Sequence, residues 1–228
     1  KVKDTAFAVS AAVNPTVAYT NDLGNRISVS SAGMEWQLQS TFSEITGTLR
    51  GSAVPFKDWT KLGASIRLID ANGTEYDGTS TINVNGDYRI SKLPITNKSF
   101  TWEMKIPGHF MLKRQIQIGV EKNGNIWGQL RLYYSGMGGV FYEYAVAGDV
   151  NQDNVIDIQD ALAIQKAWKT NNRAADINFD GIVDANDMYW VERNYLKQNQ
   201  EADNPPVPIQ QVDGKTLQDI LKELQISA

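Results

Sequence analysis

The sequence predicts a multidomain α and β protein, in which an antiparallel β-sandwich is followed by a small α-helical module. The sandwich is indicated by segments such as Phe100–Ile106, in which every second residue is apolar, the period of a half-buried strand. Turn dipeptides separate such segments, at Asn72-Gly73, Asn85-Gly86 and Asn123-Gly124. The helical module is indicated by two copies of an acidic loop, 27 residues apart, each followed by an apolar helical segment.

Five parts of the chain differ in pattern, with bounds at 1–44, 45–147, 148–198, 199–214 and 215–228. We expect residues 45–147 to form the sandwich and residues 148–198 the helical module. Residues 1–44 also contain strand-like segments, at Phe7–Val13, Ile27–Val29 and Met34–Leu38. These are too few for a sandwich of about 100 residues. They therefore either extend the following sandwich or belong to a preceding domain.

The end of the chain combines a linker with a short helix. Residues 199–214 are polar and rich in proline, which is typical of a linker. Thr216 and Asp219 predict a capping box. The apolar stripe of the helix follows, at Leu217, Ile220, Leu221 and Leu224. A helix this short is marginal alone in water, so we expect residues 215–228 to dock on the β domain or on a partner.

Composition and charge exclude several classes of function. The net charge of −4 argues against a nucleic-acid surface. Without cysteine the chain has no disulfide, thiolate zinc site or cysteine nucleophile, and a single histidine excludes a multi-histidine metal site. No apolar run approaches the about 18 residues of a membrane span, so we expect no membrane insertion. Eight of the 26 acidic residues lie in two windows, 149–160 and 176–187.

These two windows are aligned copies of one loop. Loop positions 1, 3, 5, 9 and 12 are Asp, Asn, Asp, Asp and Asp in both, and no other position is identical. The residues are Asp149, Asn151, Asp153, Asp157 and Asp160, then Asp176, Asn178, Asp180, Asp184 and Asp187. Identity confined to oxygen-bearing side chains indicates a repeated metal site. The alternative is a pair of Asp-rich turns that cap helices.

Calcium is the ion that suits these ligands. Ca²⁺ takes about 6–8 oxygen ligands, and a loop of this kind adds the backbone carbonyl of position 7, here Val155 and Ile182. The sequence therefore predicts two Ca²⁺. Without them eight carboxylates would repel one another, so we expect the module to unfold in part.

The remaining loop positions predict the local backbone. Position 6 has to turn sharply, for which Gly181 is suited and Asn154 is tolerated. Ile156 and Val183 at position 8 are apolar, and we expect them to pair the two loops through a short strand. Two helices are predicted after the loops, at Ala161–Lys169 and Met188–Leu196.

Two loop–helix units of this spacing, with Asp at position 12 and no full entering helix, resemble the dockerin domain over about residues 148–198. Dockerins bind two Ca²⁺ and usually dock onto cohesin domains, which joins secreted enzymes or scaffold proteins into cellulosome-type assemblies. The resemblance therefore implies a non-catalytic module whose partner is a cohesin. It also implies a secreted or cell-surface protein of a bacterium.

The same resemblance implies which residues meet the partner. Many dockerins have Ser-Thr-like pairs at loop positions 10 and 11, where this chain has Ile158-Gln159 and Ala185-Asn186. The apolar Ile158 is similar to the type II pattern. The other usual recognition positions carry Gln165-Lys166 and Glu192-Arg193, for which a solvated helix face is the alternative.

The two repeats are chemically unequal. Tyr189 and Trp190 stand where the first repeat has Leu162 and Ala163. Because neighbouring large apolar residues on a helix cannot all face one core, Tyr189 or Trp190 is a further interface candidate. We expect one preferred binding face.

The β segment resembles the carboxypeptidase-regulatory-like or X-module pattern, which is an immunoglobulin-like sandwich. The similar segments are Ile45–Leu49, Ala64–Leu68, Asn85–Ile90 and Ile106–Phe110. X-modules often sit directly before type II dockerins and stabilise them. The resemblance implies one rigid unit of sandwich and dockerin.

No catalytic constellation stands out. His109 lies in a Pro-Gly-His turn, and Glu103 lies on the polar face of its predicted strand, where we expect it to be solvated. An aromatic cluster is more typical of packing than of a carbohydrate platform; it consists of Trp127, Tyr133, Tyr134, Phe141, Tyr142 and Tyr144. The leading hypothesis is a cohesin-binding anchor. The alternative is a calcium-stabilised appendage of an extracellular enzyme, such as a protease or glycoside hydrolase, that packs within its own chain.

Overall fold

The structure is a computed structural model that describes residues 45–226 except 55, 56, 95, 97, 118, 123, 124 and 129–143. Before residue 45, and from residue 119 to 128, it describes only the backbones of strands. The predicted turn Asn123-Gly124 lies outside the described residues. So do most side chains of the predicted aromatic cluster, namely Trp127, Tyr133, Tyr134, Phe141 and Tyr142.

The residues before 45 contribute a four-stranded antiparallel sheet. Its strands are β1 Ala8–Val9, β2 Thr16–Thr20, β3 Arg26–Ala32 and β4 Glu35–Ser40. They pair in chain order. Among the described residues they pair with none of the later strands. Phe7, residues 10–13 and Met34, which were predicted as strand, lie outside the described residues.

Two antiparallel sheets share the core that follows. The strands are β5 Phe42–Thr48, β6 Ser65–Ile69, β7 Glu75–Asp77, β8 Asp87–Pro94, β9 Ser99–Lys105 and β10 Leu112–Gln117. One sheet has the order β10-β9-β6-β7, and the other pairs β5 with β8. Short 3-10 helices lie at Trp59–Lys61 and Thr79–Thr81. A separate hairpin joins β11 Gly119–Lys122 to β12 Asn125–Gly128.

The core of the sandwich forms from the predicted alternation. Phe100, Trp102 and Met104 are buried in β9 and pack in one cluster with Ile45 and Ile90 from the second sheet. The indole N–H of Trp102 donates to the Tyr88 hydroxyl over 2.9 Å, so the polar tip of each ring is satisfied inside the core.

Glu103 corrects the prediction that it is solvated. Its side chain is buried because Arg67, on the neighbouring strand, covers it. Arg67 Nε donates to Glu103 Oε2 over 2.7 Å. Arg67 also pairs with Glu75, so one guanidinium holds two carboxylates across three strands.

The helical module follows the sandwich and completes the predicted fold class, which the structure confirms. Its elements are β13 Val155–Ile156, α1 Ile158–Lys166, α2 Ala185–Arg193 and β14 Lys197–Gln198. Both helices begin and end three residues before the predicted bounds, because Asp157 and Asp184 at loop position 9 act as the N-caps.

The predicted strand pairing between the two loops is wrong. Ile156 pairs with Lys197 in β14. Val183 exchanges backbone hydrogen bonds with Lys169 and Thr170. Each loop therefore pairs with the segment that follows the helix of the other repeat, which leaves both position 8 side chains fully buried.

The C-terminal residues pack on the helical module. A hairpin of β15 Gln211–Val212 and β16 Lys215–Thr216 leads into α3 Leu217–Glu223. The predicted capping box of Thr216 and Asp219 is present. Helix α3 docks on α1, where Glu223 Oε2 accepts from Gln165 Nε2 over 2.7 Å. The expected contact with the β domain or a partner is therefore corrected, since α3 packs within the preceding module.

Backbone and side-chain bonds join the sandwich to the helical module. Gly148 N–H donates to Gly108 O over 2.8 Å, and His109 forms a β-bridge with Ala147. Arg173 of the module donates to Leu62 O over 2.7 Å.

The predicted linker adds a second set of bonds to the sandwich. Asn199 is buried and donates to Met111 O over 2.7 Å. Glu201 accepts from the backbone N–H of Lys113 and pairs with Arg114. The segment predicted as a linker is thus attached to β10.

Candidate calcium loops and helix faces

The first loop is closed by the carboxylates at its two ends. Asp160, at position 12, accepts from Val150 N–H over 2.7 Å and from Asp157 N–H over 2.8 Å. Asp149, at position 1, accepts from Asp153 N–H and Asn154 N–H over 3.1 and 3.2 Å. Side chains that start and end the loop therefore point inward and hold its backbone in a ring.

The second loop repeats these bonds 27 residues later. Asp187 accepts from Ile177 N–H over 2.7 Å and from Asp184 N–H over 2.9 Å. Asp176 accepts from Asp180 N–H and Gly181 N–H. The backbones match as well, since residues with positive φ recur in pairs at Gln152 and Phe179, Asn154 and Gly181, and Lys169 and Leu196. The sharp turn predicted at position 6 is present in both loops.

Capping and loop closure use the same residues. Asp157 caps α1 and accepts from Gln159 N–H over 2.8 Å, and Asp184 caps α2 in the same way. In each helix the position 12 carboxylate completes a capping box. The sequence left two interpretations open, namely a helix cap and a metal-binding loop. The same side chains can serve both roles, so the two interpretations are compatible.

Burial makes three of the carboxylates at the loop ends difficult to ionise. Asp149, Asp160 and Asp187 are at most 1 % exposed. Burial, together with the charge of Asp160, raises the pKa of Asp149 to about 8. Burial raises the pKa of Asp160 to about 7 and that of Asp187 to about 6, against the bonds they accept. A cation held between such groups would favour their ionised forms.

The donor set fits calcium. Each loop supplies only carboxylate, amide and carbonyl oxygens, which are the ligands of a hard cation. As placed, no three acidic or histidine side chains in the described part of the chain converge closely enough to hold an ion. In both loops Asn151 and Asn178 donate to the carboxylates at position 5, Asp153 and Asp180. These exposed or half-buried groups have to turn inward for coordination.

The residues predicted to meet a partner differ in their exposure to solvent. Ile158 is fully buried in the core that also contains Leu217 and Ile220, and its backbone N–H donates to Ile209 O over 3.4 Å. The predicted contact at Ile158 is therefore corrected. Gln165 is half-buried and bonded to Lys215 and Glu223. The others lie at the surface, with Trp190 half-buried and with Gln159, Lys166, Ala185, Asn186, Tyr189 and Arg193 exposed.

Residues 147–196 match the family model described as the dockerin type I domain. The dockerin predicted here is confirmed. Dockerin type I domains bind calcium, and dockerins are binding modules without catalytic activity. No curated protein matches the chain. None of the helices in the described residues is long and apolar enough to span a bilayer.

Two solved structures are similar to the chain. They are an N-terminal and a C-terminal interface mutant of the type II cohesin–X-dockerin complex from Acetivibrio cellulolyticus. In each comparison 17% of residues are identical, 70% of this chain and 99% of the other chain are covered, and the TM-score is 0.48.

One contact of the dockerin was missed by sequence reasoning. Ile209 N–H donates to Asp157 Oδ2 over 2.8 Å, so the segment after the dockerin is bonded to the first loop. The polar, proline-rich composition of residues 199–214 contains no signal for this contact.

Proposed function

We propose that this protein is a calcium-dependent anchor, in which an X-module-like sandwich and a dockerin together bind a cohesin domain. Two Ca²⁺ are held, one in each loop. The sandwich supports the dockerin, and the chain has no catalytic role of its own. Through this contact the secreted protein that carries the dockerin is anchored to a cohesin, as in a cellulosome-type assembly, outside the cell or at the surface of a bacterium.

The duplicated loop is the observation that carries the proposal. The first ion has Asp149, Asn151, Asp153, Asp157 and Asp160 as side-chain ligands, with the carbonyl of Val155. The second has Asp176, Asn178, Asp180, Asp184 and Asp187, with the carbonyl of Ile182. Support comes from loop hydrogen bonds that agree within 0.2 Å between the copies and from acids buried at both loop ends. The ions supply charge that offsets the repulsion among these carboxylates.

The support for an X-module role is the contact between sandwich and dockerin. Gly108 and His109 of the sandwich meet residues 147 and 148, which lead directly into the first loop. Lys57 and Leu62 of the sandwich meet the second repeat through Phe179 and Arg173. The sandwich therefore contacts both halves of the dockerin and favours their folded arrangement.

A type II-like cohesin is the partner that we propose. The exposed pair at positions 10 and 11 of the second repeat is Ala185-Asn186, which departs from a Ser-Thr-like pair. The remaining surface candidates are Gln159, Lys166, Tyr189, Trp190 and Arg193, with Gln165 engaged within the chain.

Capture by immobilised cohesins tests the function. The full chain is applied to type I and type II cohesins in calcium, and again after EGTA. Retention by a type II cohesin that EGTA abolishes is expected. Asp149→Asn with Asp176→Asn is expected to abolish retention in calcium, whereas the exposed control Asp77→Asn, in the sandwich, is expected to be retained. If every cohesin fails to retain a calcium-loaded and folded chain, the anchor is excluded and the intramolecular appendage is favoured.

A further inference from the structure

The two helices of the dockerin present equivalent faces to different surroundings. On α1 the face consists of residues 158, 162 and 165, and on α2 of residues 185, 189 and 192. Residues at these spacings share one side of a helix. These two sets are the α1 face and the α2 face.

The α1 face is covered by the end of the chain. Ile158 is fully buried, and Leu162 and Gln165 are half-buried. The covering segment is residues 209–226, and its Leu217, Ile220 and Leu221 are buried in the same core. At the edge Lys215 Nζ donates to Gln165 Oε1 over 3.0 Å and to Glu223 Oε2 over 2.6 Å.

The α2 face has no such cover in the described residues. Ala185 and Glu192 are exposed, and Tyr189 is 47% exposed. The loops also differ, although β14 and not residues 209–226 is the neighbour there: Val155 pairs with Gln198 and is 1% exposed, whereas its counterpart Ile182 is 43% exposed. Residues of the second repeat are thus open to solvent at positions where the equivalent residues of the first repeat are covered.

Beside the α2 face, Trp190 and Arg193 form an aromatic and cationic cluster with Tyr189. Arg193 donates to the Tyr189 hydroxyl over 2.6 Å, and its guanidinium carbon lies 5.8 Å from the Tyr189 ring centroid and 5.7 Å from that of Trp190. The two rings pack edge to face at 5.3 Å. Arg193 forms no ion pair with a carboxylate of the described residues. Tyr189 and Arg193 are exposed and Trp190 is half-buried. Tyr, Trp and Arg are the residue types enriched among those that dominate binding energy.

We propose that the cohesin docks on the α2 face alone, because residues 209–226 act as a built-in cover of the α1 face. This inference rests on the proposed cohesin-binding function. The partner surface carries a carboxylate that pairs with Arg193, and an apolar area that receives Tyr189. The two repeats therefore have equivalent metal loops, whereas only the second repeat contacts the cohesin.

Matched substitutions test the docking face. Tyr189→Ala and Arg193→Glu are compared with Leu162→Ala and Lys166→Glu, the equivalent positions of α1, in the full calcium-loaded chain. Titration with a type II cohesin is expected to show a Kd about 30-fold higher for the α2 variants, the loss typical of a central interface residue. The α1 variants are expected to stay within about twofold of the unchanged chain. Equal losses on both helices, or a loss on α1 alone, would overturn the inference.

The cover is tested without any partner. The chain has no cysteine, so Gln165→Cys and Glu192→Cys each introduce one thiol at an equivalent position, and a bulky maleimide reports its accessibility. Slower labelling at residue 165 is expected. Ile220→Asp, which detaches α3, is expected to accelerate labelling at residue 165 and leave residue 192 unchanged, while the exposed control Gln218→Asp changes neither.

The two readouts separate failure of the inference from failure of the function. Equal labelling of both thiols would overturn the cover even if cohesin binds. If no cohesin binds the unchanged chain, the proposed function fails and docking on α2 fails with it, whereas unequal labelling still upholds the cover. With cohesin bound, protection of the residue 192 thiol and unchanged labelling at residue 165 support both parts.

Discussion

The backbone N–H of Ile209 donates to Asp157 Oδ2 over 2.8 Å, although 52 residues separate them. Asp157 is also the N-cap of α1 and loop position 9 of the first repeat. One carboxylate therefore joins a helix, a loop and the covering segment. Its counterpart Asp184 accepts from residues of its own helix, and among the described residues it bonds to no segment outside the second repeat. The two aspartates therefore make a matched test of the connection.

Asp157→Ala is expected to release residues 209–226 as well as weaken the cap. Loss of an N-cap costs about 1 kcal/mol, and loss of a hydrogen bond to a charged group about 1.5–3 kcal/mol. Hydrogen exchange in α3 is expected to accelerate in Asp157→Ala and to remain slow in Asp184→Ala. Equal protection of α3 in the two variants would contradict the connection.

Removal of calcium is expected to unfold much of the dockerin and leave the sandwich core intact. The reason is that buried Asp149, Asp160 and Asp187 lose the charge that offsets their repulsion. Stabilisation by each ion follows mass action and reaches about 4 kcal/mol at 1,000 times the Kd. Far-ultraviolet circular dichroism should lose helical signal on chelation and recover it with Ca²⁺.

The number of ions is tested separately by calorimetry. The unchanged chain is expected to take up two Ca²⁺, while Asp149→Asn or Asp176→Asn alone is expected to take up one. Uptake of a single ion by the unchanged chain would show that only one of the copied loops binds.

Acid is expected to weaken the joint between sandwich and dockerin through His109. The ring is buried there, with Nδ1 3.0 Å from Pro107 O and Nε2 accepting from Ala53 N–H over 3.4 Å. Burial, with the nearby charge of Arg173, lowers the pKa of His109 to about 4. A proton on Nε2 would face the Ala53 N–H.

The direction of the pH effect follows from this depressed pKa. The unfolded chain, with a histidine pKa of about 6.5, binds the proton first, so the contribution is complete above about pH 6.5 and is lost as the pH falls toward 4. The full loss is about 3 kcal/mol. Urea unfolding in saturating calcium should show a smaller acid loss for His109→Asn than for the unchanged chain. Parallel pH profiles would exclude His109 as the cause.

Gly108→Ala is expected to be more destabilising than Gly63→Ala. Both glycines have a left-handed backbone, with φ of +73° and +71°. A Cβ on Gly108 would lie 3.1 Å from Ile177 Cγ1 in the dockerin, whereas a Cβ on Gly63 would lie 3.6 Å from its nearest neighbour, Pro107. Gly63→Ala should cost about 1 kcal/mol for conformation alone.

The additional loss of unfolding free energy in Gly108→Ala, relative to Gly63→Ala, reports how closely the two modules pack. Thermal unfolding of both variants, with and without calcium, is the measurement. If the excess persists after chelation, contact with the folded dockerin is not its source.

Much of this protein could be predicted because the decisive interactions are local. In each loop the five side chains predicted as ligands fall within twelve residues, and the turn at Gly181 or Asn154 needs only its own backbone freedom. Alternating apolar residues in Phe100–Ile106 predict a strand for the same reason. The helices start three residues before the predicted bounds, because the aspartate at position 9 is at once a loop residue and the N-cap.

Interactions between distant segments could not be predicted in this way. The stripe of α3 shows that one face needs an apolar partner, and it carries no information about which partner. The dockerin resemblance implies that Ile158 meets the partner, but in the fold it is fully buried in the core that α1 shares with α3, and its backbone bonds to Ile209.

By itself, the sequence determined the duplicated loops and the symmetry of the dockerin, and it predicts their metal chemistry, because capping and coordination act between near neighbours along the chain. Only the tertiary structure decided that this symmetry is broken at the surface. Covering one helix with residues 209–226 depends on the sum of many weak contacts between segments far apart in the chain, and no short pattern specifies that sum.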